Sequence, residues 1–446
     1  MSQNKARRTA RSCTPKTHCA VSSIPPPRLR HSVACSLVGN IGFALSQWIL
    51  LTNVSKLGGA QMVGELALAL AITSPIFLFT GLQLNTVQIT DTFDRFTFGD
   101  YLAIRITSTA LALVFIVMTL MLWSQSRTTT IVTMLIAGAK ALDSVSDVIY
   151  GFFRKHERMD LTATSMIFKS IASVVVFAAA LFLSSRLTWA ACGLALTGCV
   201  TLAAYDFPRL RRLSRLGGLQ AVRLAPHWSA EASGRLIKIT FPMGLSAMLA
   251  SLNTNIPRYF IEHLLGEKSL GFFAGTTYIT MAGTFVVSAV AQAVLPRLAS
   301  YYTAGDLHAL KAVLLRLSAM SFGIGVAGIA FSAVAGRQVL SIVYRPEYGA
   351  YSTLLTFASC AATVAYVASI MNCALNAVHR YSQQLPLIAA TVCATAFACF
   401  LLIPAYSMNG AALALTAGYG LQAAGSAIIV GRALRSLKRD RILAHA

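Results

Sequence analysis

Twelve apolar runs, each near the ~20 residues that span a bilayer as a helix, follow one another along the chain. They lie at 32–54, 62–84, 102–124, 130–153, 165–185, 187–207, 236–262, 270–295, 313–335, 352–377, 385–403 and 409–432. Water cannot solvate a fold that must hide so much apolar surface. The 446 residues are 56% hydrophobic and 12% charged, against roughly 45–50% and about 25% in soluble domains, and the mean hydropathy is +0.65. A soluble enzyme, a secreted disulfide scaffold and a disordered chain are excluded. No ten-residue alternation marks a β-barrel. The expected fold is an all-α polytopic membrane protein with twelve transmembrane helices.

The net charge is +22, and its placement speaks against nucleic acid. Of 37 Lys and Arg, 27 fall in the segments that share a side with the amino terminus, and six (Lys56, Arg127, Arg186, Lys268, Arg337, Arg345) fall on the other side. Basic loops stay cytoplasmic, so both termini are expected inside. The other four, Arg105, Lys140, Lys169 and Arg258, lie within spans. The nine cysteines form no CxxC pair and sit mostly in apolar stretches, where they act as small apolar residues. No metal, cofactor or nucleotide motif is present.

The expected organisation is a basic cytoplasmic tail (1–31), a six-helix lobe (32–207), a linker (208–235), a second six-helix lobe (236–432) and a basic tail (433–446). No cleavage site follows the first apolar run, so it reads as a retained helix rather than a signal peptide. In the linker, Leu210, Leu213 and Leu216 recur among Arg209, Arg211, Arg212 and Arg215. That pattern suits an amphipathic helix on an anionic leaflet. A repeat supports the division. LGGAQMVGELALALAIT from Leu57 and LLGEKSLGFFAGTTYIT from Leu264 share Gly59/Gly266, Gly64/Gly271, Ala67/Ala274, Ile72/Ile279 and Thr73/Thr280 at an offset of 207. Two halves of six helices run parallel, related by an axis along the membrane normal, with a cavity expected between them.

Nothing resembles a catalytic constellation. The informative residues are charges inside spans, each costing about 2.5–3.5 kcal/mol at a helix centre. In the fourth span Lys140, Asp143 and Asp147 share one face by their three-then-four spacing. In the seventh, Asn255, Arg258 and Glu262 repeat that spacing, and Pro257 frees backbone groups beside Arg258. Two readings stand. The charges pair along their own helices, Lys140 with Asp143 or Asp147 and Arg258 with Glu262, or they line a water-filled cavity. Asp143, Asp147 and Glu262 are then candidates for ion coupling. Arg105 and Lys169 are expected to snorkel to the interface, and Glu65 to be interfacial. Ser288 with Gln292, and Asn372 with Asn376, line the cavity or bond across helices.

Residues 251–279 (SLNTNIPRYFIEHLLGEKSLGFFAGTTYI), 289–302 (AVAQAVLPRLASYY) and 152–161 (FFRKHERMDL) resemble Wzx-type polysaccharide flippases. That family belongs to the multidrug/oligosaccharidyl-lipid/polysaccharide exporter superfamily. The resemblance implies a MATE-like, V-shaped pair of six-helix bundles in the bacterial inner membrane. It also implies flipping of undecaprenyl-diphosphate-linked oligosaccharide for O-antigen, capsule or exopolysaccharide synthesis, alongside a glycan polymerase and export machinery. The family's basic cavity maps onto Arg258 and Lys140. An Arg fork suits phosphate oxygens, and Asn255, Gln292, Asn372 and Asn376 suit sugar hydroxyls. The alternatives are a MATE-like multidrug or small-molecule exporter, which Asp143 and Asp147 would serve, and a membrane scaffold without transport.

Overall fold

The computed structural model describes residues 29–91, 95–123, 126–216, 224–378 and 381–445. The basic tail before Leu29 and part of the linker, 217–223, lie outside the described residues. All regular structure among the described residues is helical: α1 (Leu29–Thr80), α2 (Leu84–Thr90), α3 (Phe98–Leu122), α4 (Arg127–Lys155), α5 (Met159–Ser184) and α6 (Leu187–Thr201). A π-helical turn, Leu202–Asp206, joins α6 to α7 (Phe207–Leu216). Then come α8 (Ala230–Leu265), α9 (Glu267–Ala304), α10 (Leu307–Val343), α11 (Ser352–Ala377) and α12 (Tyr381–His445).

Among the described residues, nine helical stretches are long and apolar enough to cross a membrane, two of them 53 and 54 residues long. Each of those two is over twice one crossing, and each breaks midway. α1 breaks at Gly59 (φ 78°, ψ −177°) and α12 at Ser407 (φ 52°, ψ −135°). α12 is a hairpin, since Gly410 lies against Leu402, Gly418 against Thr395 and Gly425 against Leu387. α1 also folds back. Gly39 touches Ala163 near the start of α5, Gly81 touches Arg105 near the start of α3, and Gly59 lies beside Arg345 at the opposite end. The two hairpins, with α4 and its three charges, bring the segments of crossing length to twelve.

The repeat is visible in the backbone. Gly266, between α8 and α9, has φ 83° and ψ 169°, close to the values at its counterpart Gly59. Both need glycine, because a side chain strains a left-handed φ. Five residues on, a Cβ on Gly64 would strike the Glu267 carbonyl and one on Gly271 the Ala60 carbonyl. Ala60 and Glu267 are themselves 207 apart. The contact is therefore reciprocal, as a two-fold axis between the two helices requires.

Burial of apolar groups shows where the halves join. At the end holding Gly59 and Gly266, one core takes residues from both halves: Leu51, Val63 and Ile72 of α1, Ile261 of α8, Phe273 of α9, and Ile403 and Ala411 of α12. A second shared cluster sets Ala60 against Phe272, Tyr344 and Tyr348. Toward the end that carries the chain termini the core divides. Phe98, Tyr101, Ile149, Phe153 and Leu210 pack in the first half, with Leu236 of α8. Val287, Leu298, Leu310, Ile370 and Val430 pack separately in the second. The halves are fused at one end; toward the other their cores separate, while the start of α8 stays on the first half, with Phe241 edge-on to Phe79 and Gly244 against Phe79 and Leu82.

Candidate functional site

α4 is the polar hub of the first half. Its charges do not pair along their own helix; each reaches a different neighbour. Lys140 Nζ donates to Ser74 Oγ on α1 at 2.7 Å. Asp143 forms an ion pair with Lys169 of α5. Asp147 Oδ2 accepts from Arg105 Nη2 of α3 at 2.8 Å, and its Oδ1 accepts from Asn85 Nδ2 of α2 at 2.7 Å. A spacing of three and four puts the three charges on one face, but the lobe closes round that face. Of the two readings of these charges, pairing of Lys140 with Asp143 or Asp147 along α4 is not formed among the described residues, and Arg105 and Lys169 pair with carboxylates rather than snorkel. Arg105 is 4% exposed. A buried charge needs a full partner from a packed helix, whereas an exposed i,i+4 pair is worth only about 0.3–0.5 kcal/mol. Glu65 is buried rather than interfacial, because the Gly64 crossing brings α9 over it.

In the second half Arg258 is 6% exposed. It turns back along α8, donating from Nη1 to Asn255 Oδ1 at 3.2 Å, and its guanidinium lies over the Tyr278 ring of α9 at 5.9 Å. Asn255 in turn donates to Ser251 O at 2.8 Å, which fixes the amide oxygen toward Arg258. Among the described residues no ion pair joins Arg258 to Glu262, so of the two readings the pairing along α8 is not formed. Tyr259, next in sequence, donates to Ala71 O of α1 at 2.5 Å and packs edge-on against Trp123. Ala71 and Ser74 are one turn apart on α1. Lys140 from the first half and Tyr259, the neighbour of Arg258 in the second, therefore bond to the same turn of α1.

The other amides are placed elsewhere. Asn372 accepts from Gln384 Nε2 at 2.9 Å, tying α11 to α12. Asn376 is half-buried and Gln292 exposed on α9. Only Asn255 of the four touches Arg258. The sequence reading passed over Asp206, Ser146, Ser165 and Tyr150. Asp206 is 0% exposed and accepts from Ser146 Oγ at 2.8 Å and Ser165 Oγ at 2.5 Å. It was the single carboxylate of the sixth apolar run, which by itself flagged a buried acid. Ser74, Asn85 and Tyr278 carry no such signal, since nothing local marks an uncharged residue as a partner for a distant charge.

Lys140 and Arg258, basic groups from different halves, are each bonded to a neutral partner. The polysaccharide biosynthesis protein family profile matches residues 29–302, which is more than half of the chain. The chain belongs to the polysaccharide biosynthesis protein family. It is similar to the capsular polysaccharide biosynthesis protein CapF of Staphylococcus aureus, 26% identical over 379 residues, covering 85% of this chain and 93% of that protein. Its fold is that of the MOP superfamily of transporters. An inward-facing multidrug resistance MATE transporter superposes with a TM-score of 0.68 at 13% identity over 91% of this chain and 96% of that one. An outward-facing one gives 0.59 at 13% identity over 92% and 96%. A MOP superfamily transporter from Pyrococcus furiosus, described as having a binding pocket of reverse polarity, gives 0.61 at 13% identity over 92% and 95%. This family member is thus an all-helical, multi-pass membrane protein with a MATE-like fold of two helical bundles.

Proposed function

We propose that this protein flips an oligosaccharide linked by a diphosphate to undecaprenol from the cytoplasmic to the outer face of the bacterial inner membrane, for surface polysaccharide synthesis. The observation that carries the reading is the charge balance of α4 and α8. Asp143 and Asp147 are held by Lys169 and Arg105, while Lys140 and Arg258 are bonded to Ser74 and Asn255. A site whose carboxylates are already paired and whose cations rest on neutral groups suits an anionic ligand. An Arg fork accepts two phosphate oxygens, and a Lys adds a point charge.

The excess of Lys and Arg at the termini end makes that end cytoplasmic, so the cores of the lobes, 32–207 and 236–432, separate toward the side where lipid-linked sugars are made. The polyprenyl chain stays in lipid between the lobes, and the glycan passes with the diphosphate. A polymerase and export machinery then take the product on the far side. Asp143 and Asp147 serve mainly to hold α4 rather than to bind a cationic drug.

A deletion strain tests this reading. Lipid-linked oligosaccharide should accumulate on the inner leaflet, and a plasmid copy of the chain should clear it. If the deletion leaves the glycan intermediates unchanged and instead raises sensitivity to cationic drugs, the multidrug reading replaces this one.

A further inference from the structure

Asp206 is a buried carboxylate to which no cation is bonded among the described residues. Asp206 closes the π-helical turn Leu202–Asp206 between α6 and α7 and is fully shielded from solvent. Such turns are rare and recur at functional positions. Both carboxylate oxygens are engaged by hydroxyls from two different helices, Ser146 of α4 on Oδ2 and Ser165 of α5 on Oδ1. Ser165 spends its hydrogen on Asp206, so the Tyr150 hydroxyl, 2.8 Å from Ser165 Oγ, must be the donor in that contact. The result is a directional chain, Tyr150 to Ser165 to Asp206, that starts at a half-buried phenol and ends at a sealed acid.

Of the charged and titratable groups on the surrounding helices, Tyr150 of α4 and Lys169 of α5 act on Asp206. α4 also carries Lys140, Asp143 and Asp147, α5 carries Asp160, α6 carries Cys199, and Tyr205, Arg209, Arg211, Arg212 and Arg215 lie at and beyond the junction with α7. Lys169 acts on Asp206 through space but is committed to Asp143. Arg209 lies over the Tyr205 ring at 5.0 Å. Cys199 is exposed. Among the described residues no cation bonds to Asp206.

We propose that Asp206, with Ser146, Ser165 and Tyr150, is a proton-binding site of the first lobe. A proton from water adds to one carboxylate oxygen and converts an acceptor of two hydrogen bonds into a donor. The Tyr150–Ser165 chain then reverses, or Ser146 is released. Ser146 is flanked on α4 by Asp147, the partner of Arg105, and lies two turns from Lys140, so the change is delivered to the helix that presents the basic group to the cavity. The use of this site for coupling rests on the transport reading above; proton binding itself does not.

Infrared difference spectra of the full-length protein in lipid films, recorded between two pH values, test the site without any substrate. The wild type should show a carboxylic-acid C=O band that titrates. Asp206→Asn should remove that band, and Asp143→Asn should keep it. Ser165→Ala keeps the acid but takes away one donor to its ionised form, so the midpoint should rise by about one pH unit. That variant also covers the case in which Asp206→Asn does not fold. A band that survives Asp206→Asn, or a midpoint unmoved by Ser165→Ala, overturns the assignment. A band that shifts when sodium replaces a bulky organic cation would mark a metal-ion site instead and would equally overturn it. Glycan intermediates unchanged in the deletion strain, with this band present in the protein, would count against the transport reading alone.

Discussion

Gly64 and Gly271, 207 residues apart, meet back to back where the two halves fuse, each leaving room for the carbonyl of its partner helix. Close approach of this kind is how small residues join helices in a membrane. The same end is held by Arg345, which donates to Lys56 O at 2.8 Å and to Leu57 O at 3.3 Å. For outward release both contacts have to part.

A larger residue at the crossing should hold that end open. Cysteines placed at Lys56 and Arg345 should join through a short bifunctional thiol reagent in an otherwise cysteine-free protein. Gly64→Val in that background should lower the yield several-fold. An unchanged yield would mean that the glycine crossing does not control closure.

The ion pairs of α4 differ in how much they bear. Arg105 is 4% exposed and depends on Asp147, whereas the side chain of Lys169 is 14% exposed and keeps more contact with its surroundings. Asp147→Asn should destabilise the protein by about 3–5 kcal/mol, read as lower thermal stability in detergent and lower abundance. Asp143→Asn should cost clearly less. Arg105→Leu combined with Asp147→Leu should recover most of the loss, because no unpaired buried charge remains. Equal losses for the two Asn variants would contradict the roles assigned to these pairs.

The helices, the two breaks in α1 and α12 and the Gly59/Gly266 repeat were legible because hydropathy and glycine act locally. The Lys140–Asp143–Asp147 and Asn255–Arg258 stripes were legible for the same reason, as charge stands out in an apolar run. Their partners were not. Asp147 meets an arginine 42 residues away, and spacing along one helix cannot tell which neighbour closes over it. The Arg105 misreading has that origin: its nearness to a span end suggested escape to water, while packing of α3 on α4 made a buried partner available. Asn372 and Gln292 show the converse, polar residues at helical spacing whose places were decided by α12 and by exposure.

Sidedness has its own test. Lys56, Arg186, Lys268 and Arg212 are all exposed, so labelling depends on side rather than burial. Single cysteines at the first three should react in whole cells with a thiol reagent that cannot cross the membrane, and one at Arg212 should react only after lysis. Reversed labelling would invert the direction of transport.

If Arg258 only neutralised Glu262, replacing both by leucine would restore export in the deletion strain. The absence of an ion pair between them predicts the opposite, a stably inserted but inactive double variant. Arg258→Lys should retain part of the activity, since the charge survives while the two-pronged hydrogen bonding is lost.

If Lys140 and Arg258 together hold a diphosphate, the affinity of the purified protein in lipid nanodiscs for undecaprenyl diphosphate should fall in Lys140→Ala, in Arg258→Ala and in the double variant. Each single change removes a hydrogen-bonded charge and should weaken binding about 10- to 100-fold, with the double variant weaker still and the fold intact. Undiminished binding of undecaprenyl diphosphate by the double variant would contradict the account.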